Sequence, residues 1–89
     1  MRHKLEEILK HELRTLAIVT RDQLNYTQNQ MAQALRMSES SYSDIETGRS
    51  MCGALTTVLL LSMQEDTNLF IQSFYKKVEA LYEKELELL

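Results

Sequence analysis

No proline occurs anywhere in the 89 residues, and glycine occurs only twice, at Gly48 and Gly53. Outside those two positions nothing interrupts a helix, and the aliphatic and methionine content favours helix over strand. Tryptophan is missing, and the single cysteine, Cys52, excludes an internal disulfide framework and a cysteine-based zinc site. One unpaired thiol fits a reducing compartment, and as a side chain Cys52 reads as a small, partly buried apolar residue. Long apolar runs are also lacking. The longest, around Val58 to Leu61, falls far short of the roughly 20 residues of a membrane span. The first residues lack the apolar region of a signal peptide, and a cytoplasmic protein is expected. There is no nucleophile elbow, Gly-rich phosphate loop or metal-binding signature, so neither an enzyme nor a cofactor is expected.

What is present is 44% apolar and 26% charged residues, which describes one small all-α domain near the lower size limit for a single hydrophobic core. Stability gained by dimerisation is in keeping with that size. The net charge of −3 is unevenly placed: of 10 Lys/Arg and 13 Asp/Glu, seven of each lie in residues 1–50. The front half is therefore neutral and the deficit belongs to the tail. Neither half is an indiscriminate polyanion binder, because Lys and Arg supply most non-specific DNA affinity.

Leu5, Ile8, Leu9, Leu13, Leu16, Ala17, Thr20 and Leu24 recur at three- and four-residue steps, predicting a long helix over about 4–24 that Asn25 can end in the left-handed conformation. Thr27 and Gln30 have the spacing of a capping box, and Tyr26 with Met31 that of a hydrophobic staple. A short helix from Gln28 to Arg36 would turn Met31, Ala32 and Leu35 inward. After a turn, Ser38 caps a second short helix with Tyr42 and Ile45 inward, stopped by Gly48. The segment ALTTVLLLSM, Ala54 to Met63, reads as a buried helix. A final helix from about Thr67 to Leu88, capped by Asp66, carries Ile71, Phe74, Tyr75, Val78, Leu81, Tyr82, Leu88 and Leu89 on one stripe. That stripe serves equally a helix folded back on the core and a dimerisation helix. The expected division is residues 1–66 as the main domain and 67–89 as the C-terminal amphipathic element.

Two short helices joined by a tight turn, the first with a small Ala at its centre, form a helix-turn-helix arrangement. The stretch RDQLNYTQNQMAQALRMSESSYSDIETGR, Arg21 to Arg49, resembles the Cro/C1-type (XRE) family. Arg21, Thr27, Gln28, Met31, Ala32, Leu35, Ser38, Ser43, Ile45, Glu46 and Gly48 fall in register with that family's pattern, which with its flanking helices covers about residues 13–64. The resemblance implies a compact five-helix, lambda-repressor-like domain, here with an extended first helix and a long last one. It implies that Gln28 meets a DNA phosphate and that Glu39, Ser40, Ser41, Ser43 and Asp44 face base edges or flanking phosphates. Arg49 would touch the backbone, and Arg21 with Glu46 would form a structural ion pair between helices.

The chain departs from the family pattern in three places. Arg36 stands in the turn where Gly is common, Gly53 stands where a capping Ser or Thr is usual, and the reading surface has no Arg, Lys, Gln or Asn. Serines hydrogen-bond either way and carboxylates accept from the cytosine amino group, so base reading remains open to it. The resulting expectation is a repressor-like, sequence-specific regulator that binds a double-stranded DNA operator as a homodimer. Its two reading helices would lie about 34 Å apart. No small-molecule effector or membrane partner is expected. The competing expectation is a protein-interaction module that keeps the scaffold and binds another protein through its acidic helix and tail. His3, Glu7 and His11 share a helical face but lack a fourth ligand and read as a solvated surface, as do Lys10, Glu12 and Arg14.

Overall fold

The start and stop signals of the sequence become five α-helices: α1 (Arg2–Gln23), α2 (Gln28–Ala34), α3 (Glu39–Glu46), α4 (Ala54–Ser62) and α5 (Thr67–Glu87). The computed structural model describes residues 2–88, and among them there is no strand. Leu89, expected on the apolar stripe of the last helix, lies outside the described residues.

Local chemistry explains where the helices begin. At α2 the Thr27 hydroxyl accepts from the Gln30 amide at 3.1 Å while the Gln30 side chain accepts from the Thr27 amide at 2.9 Å, a complete capping box. Ser38 caps α3 by accepting from the Ser41 amide, and Asp66 caps α5 by accepting from the Asn68 amide. Gly53 occupies the cap position of α4 and offers no side chain to it.

The first three helices end by one device. In each, a residue with positive φ follows the last turn, its amide and the next one pairing back to the helix in a Schellman motif. Asn25 (φ 55°), Arg36 (φ 60°) and Gly48 (φ 81°) hold the three left-handed positions. The paired bonds are Asn25 to Asp22 and Tyr26 to Arg21, Arg36 to Gln33 and Met37 to Ala32, and Gly48 to Ile45 and Arg49 to Asp44. Gly adopts this conformation freely and Asn at small cost, whereas for Arg36 the Cβ costs about 1–2 kcal/mol. Its guanidinium offsets part of that by donating to the Gln33 carbonyl at 3.0 Å, a second bond to an acceptor that its own backbone amide already engages.

The core lies where α1, α2 and α3 meet. Leu13 and Ala17 of α1, Met31 and Ala32 of α2 with Leu35 just past it, and Tyr42 and Ile45 of α3 are buried together, joined from the far side by Cys52 and Leu60. Ala32 is enclosed, which lets the neighbouring helix approach closely. Tyr42 is the largest buried side chain, and its hydroxyl donates to the Ala17 carbonyl at 3.4 Å.

Two expectations need correction. The segment 54–63 is not buried along its length: only Thr56 and Leu60 of α4 are enclosed, while Leu55 and Val58 are 68% and 63% exposed. A helix of nine residues has one face toward the core, and among the described residues no second layer covers the other. Likewise the stripe of α5 is two stripes. Phe74, Val78 and Leu81, with Phe70 before them, are half-buried where α5 packs on α1, while Ile71, Tyr75, Tyr82 and Leu88 are exposed.

α5 runs antiparallel to α1, because Lys77 pairs with Glu12 near the middle of α1 and Glu85 pairs with Lys4 near its start. Glu12 is therefore not the solvated charge expected; it is buried at the α1–α5 seam with Lys77 as counter-ion. Among the described residues no helix is long and apolar enough to cross a membrane.

Candidate nucleic-acid interface

The orientation of α3 is set by a polar node at its C-terminal end. Arg21 of α1 donates from Nε to Glu46 Oε2 at 2.6 Å and from Nη2 to Oε1 at 3.1 Å, a bidentate fork. Gln28, the first residue of α2, donates its side-chain amide to the same Oε1 at 3.0 Å. The remaining Arg21 nitrogen, Nη1, donates to the Tyr26 carbonyl at 3.1 Å and so ties in the α1–α2 turn. One carboxylate thus holds α1, α2 and α3 together.

The charge states follow from this geometry. Burial alone would push the Glu46 carboxyl up, but hydrogen bonds from Arg21 and Gln28 and the Arg21 charge outweigh it and hold the group below its ordinary value of 4.5. Tyr42 is pushed well above its ordinary range, first by burial and then by the neighbouring Glu46 carboxylate. The pair is partly enclosed, with Glu46 8% and Arg21 22% exposed.

Arg14 was expected at the surface, but its Nε donates to the Glu46 carbonyl at 2.6 Å. That carbonyl belongs to the last turn of α3, where a cation satisfies an orphan acceptor and opposes the negative end of the helix dipole. The spacing held a signal for it: Arg14 lies seven residues before Arg21, two turns away on the same face of α1.

With its C-terminal end anchored, α3 presents its N-terminal half outward. Glu39, Ser40 and Ser41 are exposed, Ser43 and Asp44 are half-buried, and Arg49 is exposed just beyond the helix. The carboxylates are not isolated. Asp44 lies 3.9 Å from the Arg49 guanidinium, and Glu39 accepts from Asn29 of α2 at 3.1 Å. Asn29 accepts in turn from Gln33 at 2.9 Å, so an amide relay on α2 reaches the first residue of α3. Asn29 and Gln33 were missed in the sequence, although their spacing of four is that of facing helical neighbours. Gln28 is at the N-terminus of α2 as expected, but its side-chain amide is engaged by Glu46, which leaves its backbone amide and side-chain carbonyl for other contacts. Among the described residues no group of three or more His, Cys, Asp or Glu is placed to hold a metal.

Two short helices meeting across a tight turn, the second braced at one end and open at the other, define a helix-turn-helix DNA-binding domain. Residues 11–61 match the family described as "Helix-turn-helix domain", more than half of the chain, and the protein belongs to that family. Neither the curated proteins nor the solved structures provide a significant match to this chain.

Proposed function

We propose that the protein is a sequence-specific transcriptional regulator of the Cro/C1 type, repressor-like, that reads the major groove of a double-stranded operator with α3. The observation that carries this reading is the polarity of α3: Tyr42, Ile45 and Glu46 are buried while Glu39, Ser40 and Ser41 are exposed. In this reading those three exposed residues with Ser43 and Asp44 meet base edges or flanking phosphates, and Gln28 and Arg49 meet the DNA backbone. Such a protein works in the cytoplasm and acts by occupying its site.

Binding through serines and carboxylates is weak per monomer, and a homodimer supplies the second half-site. The outward stripe of α5, Ile71, Tyr75 and Tyr82, is the proposed contact, with half-buried Phe74, Val78 and Leu81 backing it against α1. Tyr rings bury area while keeping the hydroxyl wet, which suits such an interface. Tyr75→Glu with Tyr82→Glu should leave the fold intact and shift sedimentation to the monomer; an unchanged dimer places the contact elsewhere.

Enrichment from random duplexes at low and moderate salt tests DNA reading itself. A common motif is the expected result, with affinity falling steeply as salt rises. Failure to enrich any sequence at low salt would sink this reading and favour the protein-interaction module, for which the lack of any Lys or Arg within α3 speaks.

A further inference from the structure

The amide relay on α2 gives Glu39 a property its neighbours lack. Gln33 Nε2 donates to Asn29 Oδ1, which turns the Asn29 amino group toward α3, where it donates to Glu39 Oε2. The flip state of Asn29 is therefore settled by its two partners. One oxygen of the carboxylate is held from α2, and among the described residues nothing donates to the other, Oε1. Glu39 is exposed at the first position of α3, the end that the proposed reading directs into the groove. A side chain with three rotatable bonds is thus oriented before any ligand arrives, which lowers the ordering cost of contact.

A carboxylate only accepts hydrogen bonds. In the major groove guanine offers N7 and O6 and thymine offers O4, all acceptors that would oppose it, whereas the only base donors are the amino groups of cytosine and adenine. Adenine places the acceptor N7 beside its amino group, where the second oxygen of a carboxylate meets it unfavourably. Cytosine places only its C5–H there. We infer that Glu39, positioned by Asn29, selects cytosine at one base pair of each half-site, so that the acidity of α3 acts as a specificity filter. This rests on α3 reading DNA as proposed above.

The test compares the full chain with Glu39→Gln and Asn29→Ala in selections from random duplexes at low salt. Both residues are exposed, and unfolding curves should overlay that of the parent. The parent should prefer cytosine at one position by about tenfold. Glu39→Gln should convert that position to adenine, because glutamine both donates to N7 and accepts from N6, and leave the rest of the motif in place. Asn29→Ala should keep cytosine with a preference several-fold weaker, a change in base choice that a purely structural role would not produce. If the parent enriches a motif that Glu39→Gln leaves unaltered, DNA reading stands and the Glu39 assignment is overturned. If the parent enriches nothing, DNA reading itself fails and takes the assignment with it. A cytosine preference undiminished in Asn29→Ala overturns the positioning role.

Discussion

The three helices of residues 2–46 and the two of residues 54–87 are built on different principles. In the first group nearly every inward residue is sealed: Leu13, Ala17, Met31, Ala32, Leu35, Tyr42 and Ile45 belong to one cluster, and the Arg21–Glu46 fork ties α1 to the end of α3. In the second group α4 contributes Leu60 and Thr56 to the interior, and α5 has no buried residue at all. The front half therefore carries the position of α3, while the back half covers α1 and leaves apolar surface outside. The difference teaches where precision is needed. The end of α3 is fixed by Arg14, Arg21 and Gln28 from two other helices, whereas α5 is held along the one face that packs on α1.

The sharpest way to break this contrast is to empty the front core. Leu13→Ala should destabilise by about 2–5 kcal/mol, read by urea unfolding, because a close-packed site closes only partly over a lost side chain. Next comes Glu46→Ala, which strips Arg21 of its partner in a partly enclosed place and should cost about 3 kcal/mol, or roughly 15 °C in melting temperature for a domain of this size. A melting temperature left unchanged would show that the fork does not brace α3.

Acid probes the same node. Since the folded Glu46 carboxyl lies below its ordinary value of 4.5, the stabilisation it supplies is fully present above that value and is lost as pH falls through the lower folded value. Unfolding experiments stepped downward from pH 5 should show that decline, and Glu46→Gln should flatten it.

A smaller effect of opposite sign is expected at the turn between α2 and α3. Arg36→Gly removes a strained Cβ at φ 60° and should stabilise by up to about 1 kcal/mol, reduced by the lost guanidinium bonds to the end of α2. The smallest effect belongs to the seam that holds the back half. The Lys4–Glu85 pair between α1 and α5 is open to solvent, so Lys4→Ala should lower stability less than any of these changes. A loss as large as that of Glu46→Ala would remove the distinction between the two halves.

Much of the fold is legible in short stretches of the chain. The capping box at Thr27, the caps at Ser38 and Asp66 and the stops at Asn25 and Gly48 are interactions within a few residues, and local sequence specifies them. The polar face of α3 is legible too, because helical period and burial agree there. The amide relay is half legible, as the Asn29–Gln33 pair lies on one helix but its end at Glu39 lies across the turn.

Tertiary structure alone decided the rest. Arg14, Glu12 and Lys10 are alike as letters, yet Arg14 ends α3, Glu12 is buried beside Lys77, and Lys10 is half-buried with no ion pair among the described residues. Whether Leu55 or Val58 is covered depends on whether another layer reaches it, and periodicity carries no information about that. By itself the sequence determined five helices, their ends and the helix-turn-helix pair, because each follows from interactions a few residues long. Which charges are buried, which apolar stripe of α5 faces α1 and which faces out, and the pinning of Glu39 were decided by packing between helices. Burial depends on what arrives from elsewhere in the chain, and a residue's neighbours in sequence do not specify that.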